Sequence, residues 1–154
     1  MKPRIVLALM FFAVASLANA ASSSLVSVLP GSWQLSDGSF ANYAPIGQRE
    51  FTSLVSGANF PYALINDLTG QSVVQITNLH GIVTVDARDH ATFTLRGQGL
   101  DANGMAVVSI EVTGEKTLND DGTIDVTSHY VCLNSACLTI PDTLEERIVN
   151  EVTP

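Results

Sequence analysis

Basic residues are scarce in this chain. Its 154 residues include 7 Lys and Arg against 15 Asp and Glu, which gives a formal net charge of −8 at pH 7. Proteins that bind nucleic-acid backbones or anionic membrane surfaces do so through clustered Lys and Arg. We therefore expect no nucleic-acid partner and no attachment to an anionic membrane surface.

The motifs that mark common catalytic and cofactor sites are also missing. The sequence contains no Gly-x-Ser-x-Gly nucleophile elbow and no glycine-rich phosphate loop. Glu145 and Glu146 are adjacent, so on a strand their side chains would point to opposite faces and could not flank one bond. We expect no catalytic residue of these classes and no cofactor.

Only one long apolar run is present, and it lies at the amino terminus. Lys2 and Arg4 precede an apolar stretch at residues 5–17, which ends in Ala18-Asn19-Ala20. This is the layout of a secretory signal that is cleaved after Ala20. The run is shorter than the roughly twenty residues of a transmembrane helix. We expect residues 1–20 to be removed, no membrane insertion, and export to the periplasm or the extracellular space.

The remaining residues, 21–154, have the size of a single domain. Losing Lys2 and Arg4 leaves five basic residues against fifteen acidic ones, a net charge of −10. Cys132 and Cys137 are the two cysteines of the chain, and disulfides persist outside the cytoplasm. Their spacing favours a local disulfide over a free or metal-bound pair.

Short strand patterns dominate from Gln71 onward. Runs of Val, Ile, Thr and Phe alternate with polar turns at residues 86–89, 101–104 and 119–122. The clearest strand has two faces: Ile124, Val126, Ser128 and Tyr130 on one, and Thr123, Asp125, Thr127 and His129 on the other. This period of two, without a convincing amphipathic helix, predicts an antiparallel meander that forms a barrel or a sandwich.

The two ends of the domain are less regular. Trp33 begins a predicted first strand, and residues 39–61 read as a long irregular connection with one short strand near residues 51–55. Long loops are uncommon unless they cover something. Residues 143–152 fit either a capped helix or a closing strand, and we favour the strand.

Two sets of residues resemble a known family. Gly31-Ser32-Trp33 near the start and Arg147 near the end resemble the lipocalin-like, or calycin, barrels, in which a Gly-x-Trp opens the first strand. In those barrels a late Arg packs across the indole and helps to close the barrel bottom. The hairpins from Gly81 to Thr127 are similar to those of exported bacterial calycin-like proteins. The resemblance implies an all-β fold: a single antiparallel up-and-down barrel of about eight strands.

The histidines and acidic turns do not predict a metal site. The expected strand pairing separates the histidines: His80 opposite Gly97, His90 in the first turn, and His129 opposite Val112. In Asn119-Asp120-Asp121-Gly122 the glycine comes too soon for a calcium loop and suits a tight turn. We expect no metal ligand in either set.

The interior of the barrel is the remaining candidate site. Its expected lining is Phe93, Leu95, Val107, Ile124, Val126 and Tyr130. A barrel of this size is either filled by side chains or holds one small ligand, and the small strand residues favour some space. The leading hypothesis is a barrel that binds a small apolar or amphipathic molecule, with residues 39–61 at its rim.

Two alternatives remain open. The chain could be an interaction or inhibitor module that binds a protein partner through exposed loops. It could also be an isomerase or cyclase of the barrel type, which would need a polar side chain in the lumen, such as Arg96, Glu111 or His129.

Overall fold

The computed structural model describes residues 24–58, 60–134 and 136–148, except for the side chain of Tyr130. The expected signal segment therefore lies outside the described residues. The elements, in chain order, are α1 (Leu25–Val28), β1 (Gly31–Leu35), β2 (Phe40–Pro45), β3 (Glu50–Ser56), α2 (Tyr62–Thr69), β4 (Gln75–Ile76), β5 (Leu79–Val85), β6 (His90–Leu100), β7 (Ala106–Leu118), β8 (Ile124–Leu133), β9 (Ala136–Leu138) and β10 (Thr143–Arg147). Within the described ranges, neither helix is long and apolar enough to cross a membrane.

Eight of the strands form a closed antiparallel barrel. Their order is β10-β1-β2-β3-β5-β6-β7-β8, and β10 also pairs with β8, which completes the circle. The two extra strands lie outside this circle: β4 pairs with β6, and β9 pairs with β8. The predicted all-β, up-and-down barrel is confirmed, and so is the closing strand near the carboxyl end. The disulfide between Cys132 and Cys137 is also confirmed, and it spans the hairpin of β8 and β9.

The segment at residues 39–61 is more regular than predicted. It contains both β2 and β3, so the prediction of a mostly irregular connection is wrong. Ala, Asn and Pro make β2 a poor strand by composition, but it lies between β1 and β3 and buries Ala41 and Tyr43. A second difference from the prediction is the short helix α2, which follows Pro61 and ends at Gly70 in the left-handed conformation, φ 66°.

The register of two hairpins differs from the prediction by one residue. Val85 pairs with Ala91, so His80 lies opposite Arg96, and His90 begins β6. Between β7 and β8 the register shifts at Thr113 and Gly114, and His129 becomes the additional residue of this bulge. A slip of one residue moves a side chain to the other face of a strand, so the register decides which residues meet.

One end of the barrel is closed by the amino-terminal segment. Leu25, Leu29 and Trp33 are all 0% exposed, and the Leu25 amide donates to the Arg88 carbonyl across the barrel end at 2.7 Å. The Trp33 indole Nε1 donates to the Leu29 carbonyl at 2.9 Å. We call this the plugged end of the barrel.

Arg147 fastens the plugged end from outside. It lies opposite Trp33 in the pairing of β1 with β10. Its guanidinium donates to the carbonyls of Val28 and Pro30 at 3.2 and 3.1 Å. One side chain on the last strand thus holds the segment that leads into the first.

Candidate functional site

A cavity of about 70 Å³ lies in the half of the barrel away from the plugged end. Its mouth is formed by the turn between β1 and β2, the segment after β3 and the segment before β10. The lining residues are Leu35, Asp37, Ser39, Val55, Ala58, Phe60, Leu79, Phe93, Leu95, Val112, Lys116, Val126, Ser128, Ile140, Pro141, Thr143 and Glu145. The exposed Asp37 and Pro141 mark the opening, and most of the wall is apolar. The predicted rim at residues 39–61 contributes four of these residues, Ser39, Val55, Ala58 and Phe60.

Two opposite charges are buried in the wall of this cavity. The side chains of Lys116 and Glu145 are only 4% and 1% exposed, and Lys116 Nζ lies 2.6 Å from Glu145 Oε1. The Tyr43 hydroxyl donates to the same Oε1 at 2.6 Å. Lys116 Nζ also lies 5.2 Å from the centre of the Tyr43 ring and 5.1 Å from that of Phe93. We call Lys116, Glu145 and Tyr43 the lumen polar group.

Strand alternation places each member of this group inside. On β7 the buried positions are Val108, Ile110, Val112, Gly114 and Lys116. On β10, Glu145 is buried and Glu146 is exposed, as the expected alternation of adjacent carboxylates requires. Tyr43 is an inward residue of β2.

Burial governs the electrostatics of the lumen polar group. Burial raises the pKa of Tyr43 well above its ordinary value, and the nearby Glu145 adds to this, so the phenol stays neutral and donates. Burial lowers the pKa of Lys116, while Glu145 acts in the opposite direction. An ion pair in low dielectric persists only with good geometry and further favourable contacts. Here the Tyr43 hydroxyl donates a hydrogen bond to Glu145, and the Tyr43 and Phe93 rings make cation–π contacts with Lys116.

One oxygen of the Glu145 carboxylate accepts no hydrogen bond from the described residues. Glu145 Oε2 is buried, and among the described residues it has no hydrogen-bond partner. Both hydrogen bonds to this carboxylate go to Oε1. Glu145, a residue of the cavity wall, therefore has a buried hydrogen-bond acceptor without a donor among the described residues.

The residues predicted to line the lumen are only partly at the cavity. Phe93, Leu95 and Val126 line it. Ile124 is fully buried but does not line it. The buried, inward residues of β7 are the even-numbered ones from Val108 to Lys116. Val107 is half-buried and is therefore not one of the inward residues. The Tyr130 side chain lies outside the described residues.

The polar residues proposed for an enzymatic lumen are on the outer surface, so that prediction is wrong. Arg96 and His129 are exposed and Glu111 is half-buried, and Arg96 Nε donates to Glu111 Oε2 at 2.8 Å. Lys116 and Glu145 take the inward positions. The signal that would have found Lys116 is its even spacing from Val112, once the phase of β7 is known.

On the outer surface, His90 and His129 both lie beside Glu115, although the expected register placed the two histidines apart. His90 Nε2 lies 3.5 Å from Glu115 Oε2, and His129 Nε2 lies 3.1 Å from Glu115 Oε1. His90 Nδ1 lies 2.6 Å from Asp86 Oδ1. No group of three or more His, Cys, Asp or Glu in the described part of the chain is arranged to hold a metal ion.

Comparisons with known sequences leave the family open: no protein-family model and no curated protein sequence matches this chain. The architecture is compatible with a calycin-like fold. It has an eight-stranded antiparallel barrel, with Trp33 on β1 and Arg147 opposite it on β10.

Proposed function

We propose that this chain is an exported, calycin-like barrel that binds a small apolar or amphipathic molecule in its lumen. The observation that carries the proposal is the cavity, which has mostly apolar walls and a buried polar group at one side. Sites for small molecules combine these two features, because apolar walls supply binding energy and a few polar groups fix orientation. The expected signal at residues 1–20 and the Cys132–Cys137 disulfide support export.

The cavity limits the size of the occupant. One water molecule needs about 10–15 Å³ of such space, so a cavity of about 70 Å³ has room for roughly five to seven water-sized groups. The occupant is therefore a compact molecule or the end of a longer one that enters between Asp37 and Pro141.

The lumen polar group also favours the isomerase or cyclase alternative. That hypothesis needs a polar side chain inside the barrel, and Lys116 and Glu145 are such side chains. Their mutual ion pair gives binding the stronger support, because it occupies the charge that an acid or base would use. Recovery of a bound molecule unchanged after long incubation supports binding, whereas its conversion supports the enzyme.

The test is a titration of the exported protein with methylcyclopentane, followed by the methyl NMR signals of Leu95, Val112 and Val126. We expect saturable shifts at these cavity residues. Val126→Phe should fill the space and weaken binding at least about tenfold, since a bound ring and the new side chain cannot share it.

The matched control is Val74→Phe, because Val74 is 58% exposed and lies outside the cavity lining. This variant should bind like the unmodified protein. Circular dichroism would establish that both variants keep their strands. Absence of saturable shifts in the unmodified protein, with methylcyclopentane and with two oxygen-bearing probes of the same size, cyclopentanol and cyclopentanone, would refute the proposed function.

A further inference from the structure

Resting on the proposed function, we infer that the lumen selects neutral molecules that carry a hydrogen-bond donor, an alcohol in the simplest case. Glu145 accepts the hydrogen bond of that donor. Three features of the cavity favour this class of ligand: the balance of charge in its wall, the free acceptor of Glu145 and the size of the space.

The charge balance favours a neutral ligand. Lys116 and Glu145 offset one another, and Lys116 Nζ is already directed to Glu145 Oε1 and placed over two aromatic rings. A ligand anion would meet the Glu145 carboxylate in a site whose described lining residues offer no uncompensated positive charge. A ligand cation would have to leave water for a site whose negative charge is already paired, which is costly.

The free acceptor favours a donor on the ligand. An ionised carboxylate offers about four lone-pair sites over its two oxygens. Here Oε1 accepts from Lys116 and Tyr43, while Oε2 accepts from no described residue and is sealed from solvent. A buried acceptor without a partner is costly, and a hydroxyl entering the cavity would remove that cost.

Glu145 Oε2 has no accessible surface in this structure, so the carboxylate must rotate before Oε2 can accept a hydrogen bond from a molecule in the cavity. Glu145 forms part of the cavity wall, and the terminal torsion of a glutamate side chain is broad. Rotation about this torsion moves both oxygens together, so Oε2 turns toward a hydroxyl in the cavity as the flexible Lys116 side chain and the Tyr43 hydroxyl follow Oε1. An alcohol on a five-membered carbon ring is close to the upper size that the cavity accepts.

The experiment compares three probes with the same number of non-hydrogen atoms and nearly the same shape. Cyclopentanol can donate a hydrogen bond, cyclopentanone can only accept one, and methylcyclopentane can do neither. A hydrogen bond to a charged group should make cyclopentanol bind about tenfold more tightly than either of the other two. Each dissociation constant comes from the methyl NMR titration.

Glu145→Gln tests the residue. The amide keeps the shape of the carboxylate but adds N–H donors, so the preference for cyclopentanol should fall and cyclopentanone should gain affinity. The matched control is Glu111→Gln on the outer surface, which should keep the preference. If Glu145→Gln alone does not fold, the double variant Lys116→Met with Glu145→Gln leaves no unpaired charge, and the same comparison applies.

The outcomes separate this inference from the proposed function. Equal affinities for all three probes would overturn the donor preference while the barrel still bound small molecules. A preference that survives Glu145→Gln would overturn the role of Glu145. Binding of none of the three probes would overturn the proposed function itself.

Discussion

At the scale of single residues, His90 makes the stability of the folded chain depend on pH. The hydrogen bond with Asp86 is the largest cause that raises the pKa of His90, and Glu115 adds to it. The same contacts lower the pKa of Asp86, while His129 and then His90 lower that of Glu115. Because these groups bind protons differently in the folded and unfolded chain, each one makes stability depend on pH.

The sign of each contribution follows from the direction of its pKa shift. A raised pKa of His90 gives stabilisation that is complete below its unfolded pKa of about 6.5 and is lost as pH rises through the folded value. The lowered pKa values of Asp86 and Glu115 give stabilisation that is present above about pH 4 and is lost as pH falls through the folded values. The cluster therefore stabilises the barrel most between about pH 4.5 and 6.5.

We predict that His90→Gln makes the free energy of unfolding depend less on pH above about pH 6.5, since the variant cannot lose a proton there. Urea unfolding at several pH values on either side of this point measures the effect. His80→Gln is the control, because His80 is exposed and makes no ion pair within the described ranges. An unchanged pH dependence in the His90 variant, or an equal loss in both variants, would count against the coupling.

At the scale of strands, Gly81 sets how closely β5 approaches β6. A Cβ atom at this position would meet the carbonyl oxygen of Thr94 and lie 2.9 Å from the Leu95 Cα. Both contacts are with backbone, which cannot rotate away as a side chain can. The absence of a side chain at Gly81 therefore lets the two strands pair.

We predict that Gly81→Ala lowers the free energy of unfolding by about 1–3 kcal/mol, since β5 and β6 must separate locally to relieve the overlap. Gly47→Ala is the matched control, because its Cβ would lie 3.6 Å from the flexible side chain of Glu50. Chemical denaturation of both variants provides the comparison. Similar stabilities of the two variants would show that β5 tolerates the added methyl group.

The elements that the sequence predicted well are those whose pattern matches their burial. On β8, Ile124, Val126 and Ser128 are inward and His129 is outward, as the alternation indicates. β2 escaped prediction because its pairing on both sides, rather than its own residues, makes it a strand. α2 escaped because it has only eight residues, too few for a helical period to stand out in the sequence.

The candidate site was less predictable than the fold, because it depends on register. The pairing of β5 with β6 is shifted by one residue from the expected register, and a bulge at Gly114 shifts β8 against β7. Neither shift changes the strand count, but together they bring His90 and His129 to Glu115. Lys116 was missed for a related reason: one inward charge is visible only when the phase of β7 is known.

At the scale of the whole molecule, the barrel is plugged at one end and contains a cavity that opens toward the other end. Trp33, Leu25 and Leu29 fill the plugged end with fully buried side chains. The cavity mouth is built from turns and connecting segments, which can vary without disturbing the strands. Under the proposed function, this division lets the closed end stabilise the fold while the mouth admits the bound molecule.

Arg147 should help to keep the plugged end closed to solvent. We predict that Arg147→Ala lowers the free energy of unfolding by about 1–2 kcal/mol, because two charge-assisted hydrogen bonds to the Val28 and Pro30 carbonyls are lost. Trp33 is the single tryptophan of the chain, so acrylamide quenching of its fluorescence measures solvent access to this end alone. Quenching should rise in the Arg147 variant and stay low in Arg96→Ala, whose guanidinium pairs on the exposed outer surface. If Trp33 were already open to quenching in the unmodified protein, the plugged end would not exist in solution, and the enclosed cavity would lose its support.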